Sequence, residues 1–308
     1  MRVVFMGTPA FAVPSLRALH EAGGVIGVVS APDRPAGRGR RLARPPVAEY
    51  ARAQSLPLIQ PASPVEPAAL QTLREWAPDI IVVAAYGHIL RPALLGLPRL
   101  GCLNVHASLL PRHRGASPIA AALLAGDRQT GVTIMLLDEG MDTGPVLAQQ
   151  TLDIADDDTT GTLSDKLAEL GAALLVETLP AWERGEIVPR AQDERLATYC
   201  KILRKEDGRL DWSLPARELW LRVRAFQPWP GAFTIWSGQF LKIIAAWPAE
   251  DRPAGAEIGQ VVSSNGEPAV VAGAGMLILR QVQLAGKRPT DAVSFARGQR
   301  GFWGSILG

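Results

Sequence analysis

The stretch GCLNVHASLLPRHRGASPI at residues 101–119 decides how the chain is organised. Its opening, CLNVH at 102–106, sets small and apolar side chains around the β-branched Val105 directly after Gly101, which reads as a short buried strand. Asn104 and His106 are two residues apart, so on a strand they project from one face. The strand stops at Ser108 and Pro111. An amide and an imidazole therefore stand together at its C-terminal end, where open α/β sheets place their ligands. A basic loop (Arg112, His113, Arg114, Gly115) then leads into an apolar helical run at 118–125. Further on, DEGMDTG at 138–144 sets Asp142 in a turn between Gly140 and Gly144, so its carboxylate can meet His106 only through the fold.

Outward from this stretch, strands alternate with helices, the pattern of a parallel sheet covered on both faces. Strands are expected at 2–7, 25–30 and 79–86, with helices at 11–22 and 46–54 between them. GVTIMLLD (131–138) and PVLAQQTLDI (145–154) read as two strands joined through the Asp142 turn, and 159–184 as a long helix. Gly7-Thr8-Pro9 follows the first strand, but the G-x-G-x-x-G spacing of a dinucleotide site is missing. The expected fold is thus an α/β, Rossmann-like N-terminal domain with a mostly parallel sheet over 1–189, a linker at 190–207, and a smaller C-terminal domain at 208–308.

That last domain has a different character. Six of the eight tryptophans lie beyond residue 210, a helix is expected at 215–226, and strand-like runs follow at 232–237, 239–246, 258–263, 268–272 and 276–283. Five short antiparallel strands with a helix suggest a small β-barrel. Trp229, held between Pro228 and Pro230, reads as a packing anchor in preference to a base-stacking platform.

Asn104, His106, SLLPRHRGASPI and GVTIMLLDEGMDTGPVL resemble, nearly residue for residue, the folate-dependent formyltransferases, above all those that act on initiator methionyl-tRNA in translation initiation. The resemblance implies that Asn104, His106 and Asp142 are the catalytic trio. It implies that Ser108, Leu109, Leu110 and Pro111 line the pocket for the formyl donor, 10-formyltetrahydrofolate. It also implies an oligonucleotide-binding-type (OB-like) barrel for the C-terminal domain. The chemistry suits the residue types: formyl transfer to an amine passes through an oxyanion, which a side-chain amide such as that of Asn104 can stabilise. A proton must also move between nitrogens, and an imidazole titrates in the useful range. A carboxylate beside the ring would orient it and favour its cationic form, the role expected of Asp142. Whether His106 or Asp142 is the formal base stays open at the level of sequence.

The loop APDRPAGRGRRLARP at 31–45 carries Arg34, Arg38, Arg40, Arg41 and Arg44 against the single Asp33. Arginines on a glycine-rich tether suit phosphate contact, although a solvated surface loop has the same look. The match of 33–39 to the basic insertion of the tRNA-acting members implies tRNA binding. By the same resemblance Lys201, Arg204 and Lys205, in the mixed-charge run KILRKEDGR, are assigned to the RNA. Residues 1–189 hold 16 basic and 19 acidic side chains, and 190–308 hold 16 and 11, so positive charge gathers in the C-terminal part, as a polyanionic partner would favour.

Two other classes share parts of this pattern. A formyltransferase or hydrolase acting on a small nucleotide or sugar would keep the trio but lack the arginine loop and the C-terminal domain. A non-catalytic RNA-binding protein would keep those two and not need the trio. The chain carries all three features. Two cysteines, Cys102 and Cys200, give no disulfide framework, and the four histidines (20, 88, 106, 113) show no metal-ligand spacing, so no metal is expected. No signal peptide opens the chain and no run approaches the ~20 apolar residues of a membrane span. A cytoplasmic monomer without membrane contact is the expectation.

Overall fold

A computed structural model describes residues 1–36 and 41–308 of the chain. It contains two compact units. The first comprises residues 1–118, 129–154 and 164–201; the second comprises 119–128, 155–163 and 202–308.

The strands of the first unit, in chain order, are β1 (Val3–Gly7), β2 (Val25–Val29), β3 (Arg34–Ala36), β4 (Arg41–Ala43), β5 (Leu58–Ile59), β6 (Ile80–Ala84), β7 (Cys102–His106), β8 (Arg114–Gly115), β9 (Gln129–Leu136), β10 (Val146–Asp153) and β11 (Tyr199–Cys200). Seven of them form one sheet in the order β10-β9-β7-β6-β1-β2-β5. Pairing is parallel from β7 to β5, and β9 and β10 add an antiparallel edge. Every residue of VVFMG in β1 and IIVVA in β6 is buried. Continuous apolar runs of this kind belong to parallel strands covered on both faces. The mostly parallel α/β domain expected from the sequence is therefore the one observed.

Helices α1 (Val13–Glu21), α2 (Pro46–Ala53), α3 (Pro67–Trp76) and α4 (Pro92–Leu95) each carry a proline in the first two positions. Proline suits these places, where its fixed φ is already helical and its missing N–H is not required. The apolar α5 (Pro118–Ala125) follows β8, and α6 (Thr160–Glu183) is the long expected helix. Helix α3, absent from the sequence reading, buries Ala69 and Leu73 at helical spacing, and Leu73 joins the core that includes Val4, Ile81 and Cys102. Gly171 on α6 lies so close to β7 that an added Cβ would stand 2.8 Å from a Val105 methyl. Val105 sits between Asn104 and His106, so α6 directly backs the end of the strand that carries them.

The second unit holds α7 (Ala216–Ala225), β12 (Ala232–Trp236), β13 (Gln239–Ala249), β14 (Val261–Ser264), β15 (Glu267–Val271), β16 (Met276–Leu284), β17 (Thr290–Asp291) and α8 (Ala292–Gly298). The antiparallel order is β12-β13-β16-β15-β14, with β17 on β16. Residues 304–308 bridge the two ends of this path. Val261 of β14 exchanges hydrogen bonds with residues 304 and 305, and Gly308 donates to the Ile235 carbonyl of β12 at 3.1 Å. Trp236, Phe295 and Phe302 form an edge-to-face trio with centroids 5.0–5.6 Å apart inside the core.

Two expectations are corrected. Trp229 is 55% exposed, so it is not a packing anchor: the flanking prolines shape a turn that turns the indole outward. The segment expected as a linker at 190–207 is not a free tether over its first part. Arg190 pairs with Val146, and β11 pairs in parallel with β8, because polar side chains from 190–200 meet buried partners in the first unit. Among the described residues no helix is long and apolar enough to cross a membrane.

Replacing Gly171 with Val should push α6 off β7. The expected cost is about 1–3 kcal/mol, as for other overpacked core positions. Urea unfolding of wild type and variant measures it, and equal midpoints would show that the close approach is not required.

Candidate active site

The site begins at the C-terminal end of β7. Its flanking residues are buried, and Asn104 is the one half-buried position within the strand. The fold brings the Asp142 turn to it, as the sequence alone could not. Asn104 Nδ2 donates to Asp142 Oδ1 at 3.4 Å, and His106 Nδ1 lies 3.7 Å from the same oxygen. The other carboxylate oxygen accepts the Gly115 backbone N–H at 2.8 Å. Gly115 has φ +114° and lies against β11, where a Cβ would fall 2.3 Å from the Cys200 carbonyl oxygen. Only glycine fits both demands.

His106 is 5% exposed, and its Nε2 lies 3.1 Å from the His113 carbonyl oxygen. A carbonyl can only accept, so Nε2 carries the hydrogen and Nδ1 of the neutral ring presents a lone pair toward Asp142. Burial pushes the imidazole below its ordinary value and outweighs the opposing pull of the Asp142 carboxylate. Asp142 thus favours the cationic ring, as expected, but burial outweighs it in the resting state. The ring is neutral, with its base nitrogen beside an amide donor and a carboxylate.

The SLLP run is held from behind. Ser108 donates its hydroxyl to the Arg112 carbonyl at 2.6 Å, and the Thr133 hydroxyl donates to the Ser108 carbonyl at 2.6 Å while receiving the Leu110 N–H at 3.1 Å. Gln149 donates to the Leu110 carbonyl at 2.8 Å. Leu110 packs with Met135 and Val146. Ser108 and Leu110 are therefore internal, and the half-buried Leu109 and Pro111 are the members of the run that can meet a ligand.

Cys102 is pushed up to about 12 by burial, and burial also raises Cys200, so both thiols stay protonated. The sequence reading missed Arg114 and Gln192. Arg114 has no exposed surface, and its guanidinium meets Gln192, Glu194 and Tyr199. Gln192 in turn donates to the carbonyls of Asp142 and Gly144 at 2.8 and 2.7 Å.

Of the basic residues assigned to RNA, Arg34 and Arg44 flank an antiparallel hairpin of β3 and β4. Its base is anchored at Asp33, whose carboxylate lies 3.7 Å from Arg44 and 3.6 Å from Arg52 and accepts from Gln60 at 2.8 Å. Arg38 and Arg40 lie outside the described residues, as does the side chain of Arg41. Lys201, Arg204 and Lys205 are exposed; the Arg204 N–H donates to Asp207 at 2.7 Å.

Residues 1–179 match the formyl transferase family, and residues 202–300 match its C-terminal domain. A methionyl-tRNA formyltransferase of Chloroflexus aggregans is 50% identical over 301 residues, covering 97% of each chain. The chain belongs to the formyl transferase family. Solved structures share its fold. An N-formyltransferase from Helicobacter canadensis, in complex with folinic acid and dTDP-3-aminofucose, superposes with TM-score 0.67 at 17% identity over 91% of this chain and 98% of that one. HypX from Aquifex aeolicus, in complex with tetrahydrofolic acid, gives 0.63 at 18% identity over 99% of this chain and 48% of that one.

The buried, neutral His106 has a consequence for stability. In the unfolded chain it takes up a proton near its ordinary value of about 6.5, whereas the folded ring does so only at lower pH. Over that window the unfolded state binds more protons, so this contribution to stability is present above the ordinary value and is lost as pH falls. A His106→Asn variant should lose less stability than wild type between about pH 7 and about pH 5 in urea unfolding. Parallel losses would mean that the ring titrates as an exposed histidine does.

Proposed function

We infer that this protein transfers the formyl group of 10-formyltetrahydrofolate to the free amino group of methionyl-initiator tRNA, acting as a monomer in the cytoplasm. The observation that carries this reading is the near-full-length 50% identity to a methionyl-tRNA formyltransferase, which extends through both matched domains. Formyl-folate supplies an activated one-carbon acyl group, held against Leu109 and Pro111 beside the trio.

The chain's own groups then divide the work. The Asn104 amide makes one long contact with Asp142, which leaves donor capacity for the oxygen that gathers negative charge as the acyl carbon is attacked. His106 Nδ1, unprotonated at rest, takes the proton that the attacking amine must lose. Asp142, fixed through its other oxygen by Gly115, faces the imidazolium so formed and offsets its charge. On this reading His106 is the base and Asp142 stabilises its charged form. The proton can then pass from the imidazolium to the departing nitrogen.

Asn104→Ala and His106→Ala should each lower the transfer rate by about 10²–10⁴-fold, measured as formylation of methionyl-tRNA by purified, folded variants. Near wild-type turnover in both would overturn the assignment.

The arginine hairpin and the residues Lys201, Arg204 and Lys205 serve the RNA in this reading. The anchored base at Asp33 supports a fixed presentation of Arg34 and Arg44, and Arg38, Arg40 and Arg41 belong to the same insertion. Removing Arg34 and Arg44 together should weaken tRNA binding and make its salt slope shallower by about one unit for each phosphate that is no longer neutralised. Binding measured across a salt series, with formyl-folate binding as control, tests this. Coincident slopes would make the hairpin a solvated ornament.

A further inference from the structure

Arg114 presents five N–H donors, and all five have partners. Nε donates to Gln192 Oε1 at 3.0 Å; Nη1 donates to Glu194 at 2.9 Å and to the Tyr199 hydroxyl at 3.0 Å; Nη2 donates to Gln192 Oε1 at 2.9 Å and to Glu194 at 2.7 Å. A saturated, fully buried guanidinium has one orientation available. It therefore fixes the Gln192 amide with its oxygen toward Arg114 and its NH₂ away. Both NH₂ hydrogens have acceptors, the carbonyls of Asp142 and Gly144.

Those two carbonyls bracket a strained place. Asp142 has φ +56°, a left-handed conformation that its surroundings must hold. A Cβ at Gly144 would stand 1.9 Å from the Leu136 carbonyl oxygen, so the turn has no slack on that side. The carboxylate that the turn presents is the one that meets Asn104, His106 and the Gly115 N–H. Gly115 follows Arg114 directly. A closed circuit results: Arg114 orients Gln192, Gln192 holds the backbone of Asp142, and the Asp142 carboxylate returns to the residue after Arg114.

We propose that Gln192 is a positioning residue for formyl transfer, holding the left-handed turn of Asp142 through its side-chain amide, with Arg114 fixing that amide from behind. The proposal rests on the transfer reading above and extends it to a segment, 190–200, whose sequence looks like linker. Gln192 touches no reacting atom. It acts through the placement of the Asp142 carboxylate against His106.

The experiment compares wild type, Gln192→Leu and Glu194→Gln in the full chain. Leucine keeps much of the volume of Gln192 and removes both donors to the turn. Glu194 has 66% of its side chain exposed, so its amide variant keeps the shape and an acceptor toward Arg114 while weakening the grip on it. For Gln192→Leu, kcat for methionyl-tRNA formylation should fall about 10- to 100-fold, the scale expected for misplacing a catalytic group by about 1 Å, while KM for the formyl donor stays within about twofold. Glu194→Gln should show a smaller fall of kcat with the same unchanged KM.

A second readout needs no substrate. The ionisable neighbours of His106 are Asp142 and His113, and the Asp142 carboxylate raises the ring's affinity for a proton. Withdrawing it should move the NMR titration of the His106 ring to lower pH in Gln192→Leu. A kcat within about twofold of wild type, or a His106 titration that does not fall, overturns the proposal. If Gln192→Leu does not fold, Glu194→Gln decides on the same two readouts. The NMR arm also separates the proposal from the transfer reading, since it stands whether or not methionyl-tRNA is the acceptor.

Discussion

One carboxylate ties the first unit's site together. Asp142 receives an amide from β7 and a backbone N–H from β8, and lies 3.7 Å from the imidazole of His106. Its own backbone carbonyl accepts from Gln192. Four stretches of chain, spread from β7 to Gln192, are thereby set against one another within a few ångströms. The parallel sheet supplies the rigid edge on which this can happen, since β7 is buried on both sides of Asn104 and backed by α6 at Gly171.

Two buried polar side chains near this carboxylate solve the cost of burial in opposite ways. His106 gives up its charge, and the single N–H of its neutral ring finds a carbonyl. Arg114 cannot give up its charge, so it is buried with five hydrogen bonds and a carboxylate partner that reaches solvent. The first solution leaves an unprotonated nitrogen beside the carboxylate. The second leaves a fixed scaffold with nothing to titrate near neutrality.

The part of the site that lies on β7 was legible because strand geometry is periodic. Asn104 and His106 at i and i+2 must share a face, whatever surrounds them. Asp142 was legible only through resemblance, since nothing in a turn's local pattern says which strand end it will meet. Gln192 and Arg114 were not legible at all. Burial of a charged residue leaves no periodic trace, and the segment around Gln192 has the mixed polarity of a tether, although Gln192, Glu194 and Tyr199 reach the buried Arg114. Trp229 failed for a related reason: proline on both sides announces a rigid turn without saying which way the ring points. In the fold at large, the apolar runs of β1 and β6 read directly as covered strands, whereas α3, also apolar at helical spacing and opened by Pro67, was passed over.

Arg224 gives the second unit a boundary different from the one its sequence suggests. This buried side chain stacks 4.4 Å from the Trp220 ring centroid and donates to the carbonyls of Ala155 and Asp158, while Thr160 donates to the Ala225 carbonyl. Residues 155–163 are thus part of that unit, although some forty residues separate them from its main segment. A gene fragment cut at the family boundary near residue 202 would encode all of its strands and still omit the acceptors of a buried guanidinium. The unit that can be excised on paper is smaller than the one that can fold with its charges satisfied.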